Sequence, residues 1–415
     1  MEDAIMAVSS IALAVVFSIL LFMLAVFIAS LFSKKPVNNL GFEPEVSIII
    51  PVYNEEKNIE GCIDSIINSG YPSDKMEIMV VDDGSTDSTI EKAEKIGGIK
   101  ILRQEHLGKS EAMNLGIKNS SNDFVITVDA DTELEKNCIR KIIAPFNDKK
   151  IGAVAANSRV RREKFMLNEF QNIEYHFTNL LRISFSRLFG NSIWFSGAVS
   201  AYRKSAVEKA GYFKNDSMAE DIEISLGIKN TGYNAVTADD AVCTTKVPKR
   251  VKELYKQRYR WWIGTLQVMS KNRKRLPSER SPSVLFLFFN QLWGSLYAFI
   301  VIPIILYQIN YWLPYNSSLF EIAGYFFRWF TFAGPVFVLY KIPEWGVSYY
   351  SIFGVMAGVI STSLIIAALI RFRNEIRLKS IFAVFCYFPY TILLNIMILI
   401  SLLHSRFRRD KFFIR

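Results

Sequence analysis

Two carboxylates that close a short apolar run are the residues of this sequence best placed to do chemistry. Asp129 and Asp131 follow the run Phe124–Val128, whose β-branched and aromatic residues predict a buried strand. Alternate residues of an extended chain point to the same side, so both carboxylates should face one ligand. Hard oxygens at the carboxyl end of a sheet strand suit a divalent cation that carries phosphate. An Asp-rich turn that merely ends a strand fits the same residues.

The elements around these carboxylates alternate between predicted strands and predicted helices. Apolar runs predict strands at residues 46–50, 77–81, 100–102 and 124–128. Helical periodicity predicts helices at residues 55–69 and 110–119, with a third that Ser85 to Asp87 can cap and Gly97 ends. This alternation implies an α/β fold with a mainly parallel sheet, which binds ligands at the carboxyl ends of its strands. Asp82 and Asp83 lie at such an end, as do Asp129 and Asp131.

Long apolar segments flank this α/β region on both sides. The chain has 415 residues, is 51% hydrophobic, and has four uncharged segments, at residues 4–33, 284–308, 346–370 and 380–403. Each exceeds the roughly 18–20 residues needed to span a bilayer. A fifth candidate, 322–340, contains Arg328 and Pro335. The acidic start (Glu2, Asp3) and the length of the first segment favour a retained transmembrane helix over a cleaved signal peptide.

Charge and cysteine usage exclude several classes of protein. The net charge is +10 at pH 7, and basic clusters beside membrane segments commonly face anionic lipid in the cytoplasm, so no nucleic-acid partner is expected. Cys62, Cys138, Cys243 and Cys386 form no CxxC pair, which argues against a zinc site or disulfide framework and fits a reducing compartment. The sequence lacks a Walker A run, GxGxxG and GxSxG, so it indicates no P-loop, dinucleotide or serine-hydrolase site.

Six short motifs in a fixed order give the sequence a family resemblance. They are Pro-Val-Tyr-Asn-Glu at 51–55, Asp-Asp-Gly-Ser-Thr-Asp at 82–87, Gly-Lys-Ser-Glu-Ala-Met-Asn at 108–114, Asp-Ala-Asp at 129–131, Glu-Asp at 220–221 and Gln-Arg-Tyr-Arg-Trp at 257–261. Their order resembles family 2 glycosyltransferases with a GT-A fold. The last motif fits QxxRW, the mark of a membrane-embedded branch that includes hyaluronan, chitin, cellulose and poly-N-acetylglucosamine synthases. The resemblance covers residues 45 to about 275.

The resemblance implies a binding site for a UDP-sugar donor. It assigns the base and the ribose to Tyr53 and Glu55, together with Asp83, and Pro51 belongs to the same donor motif. A carboxylate that accepts the uracil imide N–H would favour UDP over other nucleotides. Lys109 starts a helix after a glycine and would meet the diphosphate as a point charge.

The resemblance also implies a metal ion and a general base. Asp131 is the expected direct ligand of Mg²⁺ or Mn²⁺, and Asp129 lies nearer the ribose or the phosphates as a second candidate ligand. Asp221 is the expected general base, with Glu220 as the alternative. One base without a nucleophile implies a single displacement that inverts the anomeric configuration. An acid pair that favours the helix dipole is the competing explanation of Glu220 and Asp221.

A basic amphipathic helix is predicted at residues 249–276, with an apolar stripe typical of a helix at the membrane interface. Gln257, Arg260 and Trp261 lie at positions i, i+3 and i+4 and should project together. Arg260 would hold the diphosphate, and Trp261 would stack on a sugar at the acceptor position, where Gln257 also lies. Arg258 is left open between a phosphate contact and lipid headgroups.

A second stretch corresponds to the acceptor floor of the relatives. It contains Asn172, Glu174 and Tyr175, and further along Ser196 and Gly197. Ser196 and Gly197 are the more credible acceptor contacts, because a glycine lets a sugar approach the backbone.

The predicted organisation has five parts. They are an N-terminal transmembrane helix (4–33), a cytoplasmic GT-A catalytic domain (45–248), an interfacial helix with QxxRW (249–280), four or alternatively three transmembrane helices (283–404) and a basic cytoplasmic tail (405–415). The first helix would place the N-terminus outside. Four C-terminal spans put the basic loop 371–379 outside and three put the tail outside, so each count violates the positive-inside tendency once. Four spans are the favoured count.

The resulting expectation is a multi-pass plasma-membrane hexosyltransferase with its catalytic domain in the cytoplasm. It would be metal-dependent and inverting, and would extend a β-linked polysaccharide processively; export of the polymer by the same chain stays open. The alternative is transfer of a single sugar to a membrane lipid, and a transporter or scaffold is less favoured. Its partners would be the UDP-sugar, a glycan or lipid acceptor and the lipid bilayer. A small accessory membrane subunit is neither indicated nor excluded.

Overall fold

A mixed eight-stranded sheet organises the central part of the chain in the computed structural model, which describes residues 2–33, 40–275, 278–312, 316–331, 333–372 and 378–407. The strands are β1 (Val46–Val52), β2 (Met76–Asp82), β3 (Lys100–Arg103), β4 (Phe124–Val128), β5 (Thr132–Leu134), β6 (Ile151–Val160), β7 (Val199–Arg203) and β8 (Asn234–Thr245). Their spatial order is β3-β2-β1-β4-β7-β6-β8-β5.

The pairing of the strands brings the predicted acids to one edge of the sheet. β1 pairs in parallel with β2 and β4, β2 with β3, and β6 with β8, whereas β4–β7, β6–β7 and β5–β8 are antiparallel. The sheet is therefore mixed but mostly parallel, as predicted. Because β1, β2 and β4 run in the same direction, the residues that follow Asp82 and Val128 emerge at the same edge.

Fifteen α-helices are assigned within the described residues. They are α1 (Glu2–Phe32), α2 (Ile59–Ile67), α3 (Thr89–Glu94), α4 (Lys109–Lys118), α5 (Cys138–Ile143), α6 (Met166–Phe189), α7 (Lys204–Ala210), α8 (Glu220–Asn230), α9 (Val251–Asn272), α10 (Pro282–Trp312), α11 (Leu319–Phe330), α12 (Ala333–Trp345), α13 (Tyr349–Arg371), α14 (Leu378–Phe385) and α15 (Tyr387–Phe407).

Two element boundaries near the site differ from the prediction. β1 continues through Pro51, which pairs with Val81, and does not end there. The helix expected from residue 55 begins at Ile59, because Asn54 has φ 56° and the Glu55 N–H donates to the Thr89 hydroxyl at 2.8 Å. The loop between β1 and α2 is thus tied to the start of α3.

The sheet is buried on both faces, which explains the nearly continuous apolar runs of its strands. Ile48 and Ile50 pack on one face with α2 and α5, and Ile49 packs on the other with α4, α7 and α8. At Gly116 of α4 an added Cβ would lie 2.5 Å from a methyl carbon of Ile49, so the helix approaches β1 only because this residue is a glycine.

In the part of the chain that the structure describes, four helices are long and apolar enough to cross a membrane, over Ala7–Phe32, Pro282–Leu306, Ser351–Arg371 and Tyr387–Ser405. The fifth predicted segment, 322–340, is not one straight helix, because α11 and α12 meet at an angle of 97°. The chain leaves the helix at Thr331, whose backbone is extended. The guanidinium of Arg328 lies 5.1 Å from the ring centre of Phe337, at a cavity of about 450 Å³.

Polar contacts connect the end of α13 and the start of α14 to the sheet domain. Arg371 donates to Oδ2 of Asp239 on β8 at 2.5 Å, and Arg187 of α6 donates to the same oxygen. Ser380 donates to Glu169 of α6 at 2.9 Å. The predicted loop 371–379 lies between these contacts, although residues 373–377, like the tail after residue 407, lie outside the described residues.

Candidate active site

The centre of the candidate site is a lysine held between two acids. Lys109, the first residue of α4, lies with Nζ 2.6 Å from Oδ1 of Asp129 and 3.3 Å from Oε1 of Glu220. Asp129 is fixed at the end of β4 by its N–H, which donates to the carbonyl of Ala198 at 2.9 Å. Burial opposes the charge on Lys109, but these two carboxylates raise the pKa of Lys109. The lysine is therefore a permanent cation at the strand edge, where a diphosphate could displace its carboxylate partners.

Asp131 lies next to this centre without a cation of its own. Its Oδ1 accepts only long hydrogen bonds, from the hydroxyls of Thr132 at 3.3 Å and Thr245 at 3.4 Å, and no ion pair to it is found among the described residues. Burial and the charge of Glu55 raise the pKa of Asp131. A divalent cation would offset both effects, because it supplies the positive charge that this carboxylate lacks.

The residues present fit a metal ion that is held largely by its substrate. Within the described ranges no three Cys, His, Asp or Glu side chains are placed to bind a metal. Mg²⁺ commonly takes one or two carboxylates and completes its shell with phosphate oxygens and water. Asp131 meets that requirement, and Asp129 is the second acid, although Lys109 already holds its Oδ1.

Asp221 has the environment of a general base. It follows Glu220 in the first turn of α8, and an added Cβ at Gly197 would lie 3.1 Å from its Oδ2. Burial, and then the charge of Glu220, raise the pKa of Asp221 to about 6. Glu220 differs, because Lys109 and Arg260 overcome the effect of burial and lower its pKa. Asp221 is therefore the better base near neutral pH.

The sequence offered no signal for Arg182 of α6. Its charge lies close enough to Asp221 to lower the pKa of that carboxyl in part, and Nη1 donates to Oδ1 of Asn179 at 3.3 Å. Arg182 belongs to no motif, and only the packing of α6 against the sheet brings it to α8.

The predicted nucleotide side consists of an aromatic pair above a buried acid. The ring of Tyr53, 44% exposed, stacks on His106 with centroids 4.1 Å apart. His106 lies with Nδ1 2.8 Å from Oδ2 of Asp83. Oδ1 of Asp83 also accepts the N–H of Leu107 at 2.8 Å and the amide of Gln104 at 2.6 Å. Asp83 thus shapes the loop that leads into Lys109, while Tyr53 and His106 present the exposed aromatic face.

Glu55 lies close enough to the acid centre for the charge of Asp129 to act on it. Its Oε2 accepts the amide of Asn58 at 2.5 Å, and Asn58 in turn accepts a hydrogen bond from Lys246. Burial raises the pKa of Glu55, and the charge of Asp129 acts in the same direction. Lys246 was not predicted; it follows β8 and reaches α2 only in the folded chain.

The predicted acceptor side is formed by α9 and the turn before β7. Trp261 is 39% exposed, and its ring centre lies 6.4 Å from that of Tyr175. Arg260 is exposed and acts electrostatically on Lys109 and Glu220, as a diphosphate contact requires.

The other predicted acceptor residues make contacts within the protein. Gln257 accepts a hydrogen bond from Arg258 at 2.5 Å. The hydroxyl of Ser196 lies 3.1 Å from that of Ser158, beside Gly197. Pro51 is part of β1, behind Tyr53. The structure thus brings Lys109, Asp129 and Glu220 into direct contact, whereas Asp83 bonds to the loop that precedes Lys109.

Comparison with known proteins identifies proteins that are similar in sequence to this chain. The family model described as Glycosyl transferase family 2 matches residues 47–211. A poly-beta-1,6-N-acetyl-D-glucosamine synthase of Staphylococcus aureus (strain COL) is 33% identical over 277 residues, which cover 65% of this chain and 66% of that protein, slightly under two thirds of it. The synthase of the same name from Staphylococcus epidermidis is 30% identical over 295 residues, 69% of this chain and 71% of that protein.

One solved structure supports the fold over most of the chain. It is a mannosyltransferase from Pyrobaculum calidifontis in complex with GDP-Man and Mn²⁺, with a TM-score of 0.62 and 24% identity. The superposition covers 89% of this chain and 100% of that one. At this identity the likeness concerns the fold alone, an α/β domain of GT-A type with long apolar helices.

Proposed function

The chain belongs to glycosyltransferase family 2, and from that premise we propose that it is a membrane-embedded, inverting hexosyltransferase. It would transfer the sugar of a UDP-sugar to the growing end of a β-linked polysaccharide. The observation that carries the proposal is the arrangement of Asp221, whose pKa is raised to about 6, beside Gly197 and next to the centre formed by Lys109, Asp129 and Glu220.

The donor would lie across the carboxyl edge of the sheet. Its base would stack on the exposed face formed by Tyr53 and His106, and Asp83 would hold the loop below it. Lys109 and Arg260 would bind the diphosphate, since both are cations beside the acid centre.

Asp131, with Asp129, would hold Mg²⁺ or Mn²⁺. When bound, such an ion supplies positive charge that stabilises the leaving diphosphate. The protein's own contribution is to keep the Asp131 carboxylate at the strand end, where two threonine hydroxyls orient it and no cation among the described residues forms an ion pair with it.

The transfer would be a single displacement. Asp221 takes the proton from an acceptor hydroxyl as that oxygen forms its bond to the anomeric carbon. The bond from the same carbon to the diphosphate oxygen breaks, UDP leaves with the bonding electron pair, and the configuration inverts. Trp261 and the backbone at Gly197 would orient the acceptor sugar for this attack.

Contacts with the membrane helices bear on topology. Arg371 and Ser380 bond to Asp239 and Glu169 of the sheet domain, which supports a loop 371–379 on the same side as the active site. This position of the loop favours three C-terminal spans, whereas the sequence favoured four. With three spans, the bent pair α11–α12 enters the membrane and returns to the same side. In a chain with Cys386→Ser, a cysteine at Lys379 should react with an impermeant thiol reagent only after the cytoplasmic face is opened. Labelling from the outside of intact cells would refute this topology.

The decisive experiment combines a variant with product sizing. Asp131→Ala in the purified, detergent-solubilised chain should preserve folding but abolish metal-dependent UDP binding and turnover. A variant that binds UDP with metal and turns over normally would refute the enzymatic proposal. With the native chain, a polymer made from radiolabelled UDP-sugar would support polysaccharide synthesis. A single labelled lipid as the product would instead indicate glycolipid synthesis.

A further inference from the structure

Arg258 is a buried cation in the middle of the helix that carries the predicted acceptor residues. It lies on α9 between Gln257 and Trp261 and is only 8% exposed. It is not one of the three residues that define QxxRW. From the sequence, a phosphate contact or a contact with lipid headgroups remained open.

The guanidinium of Arg258 makes its polar contacts inside the protein. Nη2 donates to Oε2 of Glu174 at 2.7 Å, and Nη1 donates to Oε1 of Gln257 at 2.5 Å. Because both terminal nitrogens are engaged at a buried site, a phosphate or headgroup would have to displace Glu174 to reach them. A buried ion pair of this kind is costly to break, so displacement is unfavourable.

The same guanidinium lies against the predicted acceptor platform. Its central carbon is 4.3 Å from the ring centre of Trp261, the distance of a cation–π contact. Trp261 is 39% exposed and has Tyr175 as its other aromatic neighbour. A planar cation against one face of the indole restricts rotation of the Trp261 side chain. The exposed part of the indole remains accessible to a sugar.

A residue of the last membrane helix completes the arrangement. Tyr390 of α15, 3% exposed, donates to Oε2 of Glu174 at 2.6 Å, the oxygen that also accepts from Arg258. Its ring stacks on Phe170 of α6 with centroids 5.2 Å apart and planes within 7°. Glu174 is therefore the junction of three helices, α6, α9 and α15.

We infer that Arg258 is a positioning residue, anchored by Glu174 and Tyr390, that orients Gln257 and Trp261 for the acceptor and does not contact the donor. This inference rests on the proposed function. Under this arrangement, acceptor binding depends on how α15 packs against α6 and α9. The membrane region thereby contributes to recognition of the sugar chain through a contact that lies outside the carboxylate centre.

The test separates the acceptor from the donor. Arg258→Lys keeps a cation for Glu174 but loses the planar stack on Trp261 and the second donor to Gln257. With a soluble oligosaccharide of the transferred sugar as acceptor, the KM for the acceptor should rise about tenfold. The KM for the UDP-sugar and the affinity for UDP, measured by calorimetry, should stay within about twofold.

Three further variants make the test specific. Arg258→Lys should add nothing to the acceptor defect of Trp261→Ala, because both remove the same platform. Tyr390→Phe should raise the acceptor KM about twofold to threefold, since the ion pair to Glu174 remains. Lys256→Met, an exposed position on the same helix, controls for loss of a positive charge and should change neither KM.

Several outcomes would overturn the inference. They are a rise in the donor KM with Arg258→Lys, an unchanged acceptor KM, or full additivity with Trp261→Ala. A merely structural ion pair would lower the unfolding temperature without splitting the two KM values. Failure of the proposed function is distinguishable, because it would show as full turnover and UDP binding in Asp131→Ala, whatever the Arg258 variants do.

Discussion

The pH dependence of transfer should follow the ionisation of Asp221. Burial and the charge of Glu220 raise the pKa of Asp221 to about 6, and the ionised carboxylate is the form that accepts a proton. Activity should therefore be lost as pH falls through about 6, by roughly tenfold for each further pH unit. Asp221→Asn should lower kcat by about 10²–10⁴-fold, the usual contribution of a general base, and should remove the acid limb of the profile.

A second variant, Glu220→Gln, tests the cause of the raised pKa. Removing the neighbouring negative charge lowers the pKa of Asp221, so the acid limb should move to lower pH while burial keeps part of the shift. Glu220 also pairs with Lys109, so a change in donor KM is expected alongside the shift. The pH at which the acid limb of kcat/KM lies is the diagnostic quantity.

The assay is UDP release at subsaturating substrate concentrations between about pH 5 and 8, so that kcat/KM reports the pKa of the unliganded chain. UDP binding to each variant is the control. An acid limb in the same place with Glu220→Gln would refute the electrostatic explanation. The assignment of Asp221 as the general base would be refuted if Asp221→Asn kept its activity while Glu220→Gln lost it. Glu220 would then be the base.

Four further predictions follow from the same geometry. Asp221→Asn should raise thermal stability at neutral pH by up to about 3 kcal/mol, because a carboxyl whose folded pKa lies above its unfolded value opposes folding once ionised; calorimetry should show the gain vanish below about pH 4, and a gain that persists there would contradict this cause. Gly197→Ala should lower kcat about tenfold with unchanged UDP affinity, because the new methyl lies 3.1 Å from the Asp221 carboxylate; normal kcat would contradict the close approach. Gly116→Ala should destabilise the chain by about 1–3 kcal/mol in thermal unfolding through its clash with Ile49, and an unchanged midpoint would show that α4 can shift. Asp239→Asn should make the chain at Arg371 and Phe372 more accessible to trypsin while leaving UDP affinity intact, and unchanged cleavage there would show that this contact does not hold the end of α13.

Much of the fold could be predicted because it depends on local patterns. Apolar runs that end in polar residues marked β2 and β4, and the uncharged segments marked the helices long enough to cross a membrane. The alternation of strands and helices implies parallel neighbours, and parallel neighbours place Asp83 and Asp129 at one sheet edge. What could not be predicted is how β5, β6, β7 and β8 pair, because strand partners that lie far apart in sequence leave no periodic signal, whether antiparallel as β6 and β7 or parallel as β6 and β8.

The candidate site divides in the same way. The sequence alone predicted which acids, lysine and aromatic residues would carry the chemistry, because residue types and their spacing within short motifs are visible in it. Only the tertiary structure decided their partners: Lys109 with Asp129 and Glu220, Asp83 with the loop below Tyr53, and Arg258 with Glu174. These pairings join elements that are distant along the chain. Their distances and burial, which set the pKa values and the orientation of each group, arise only when the sheet and helices pack together.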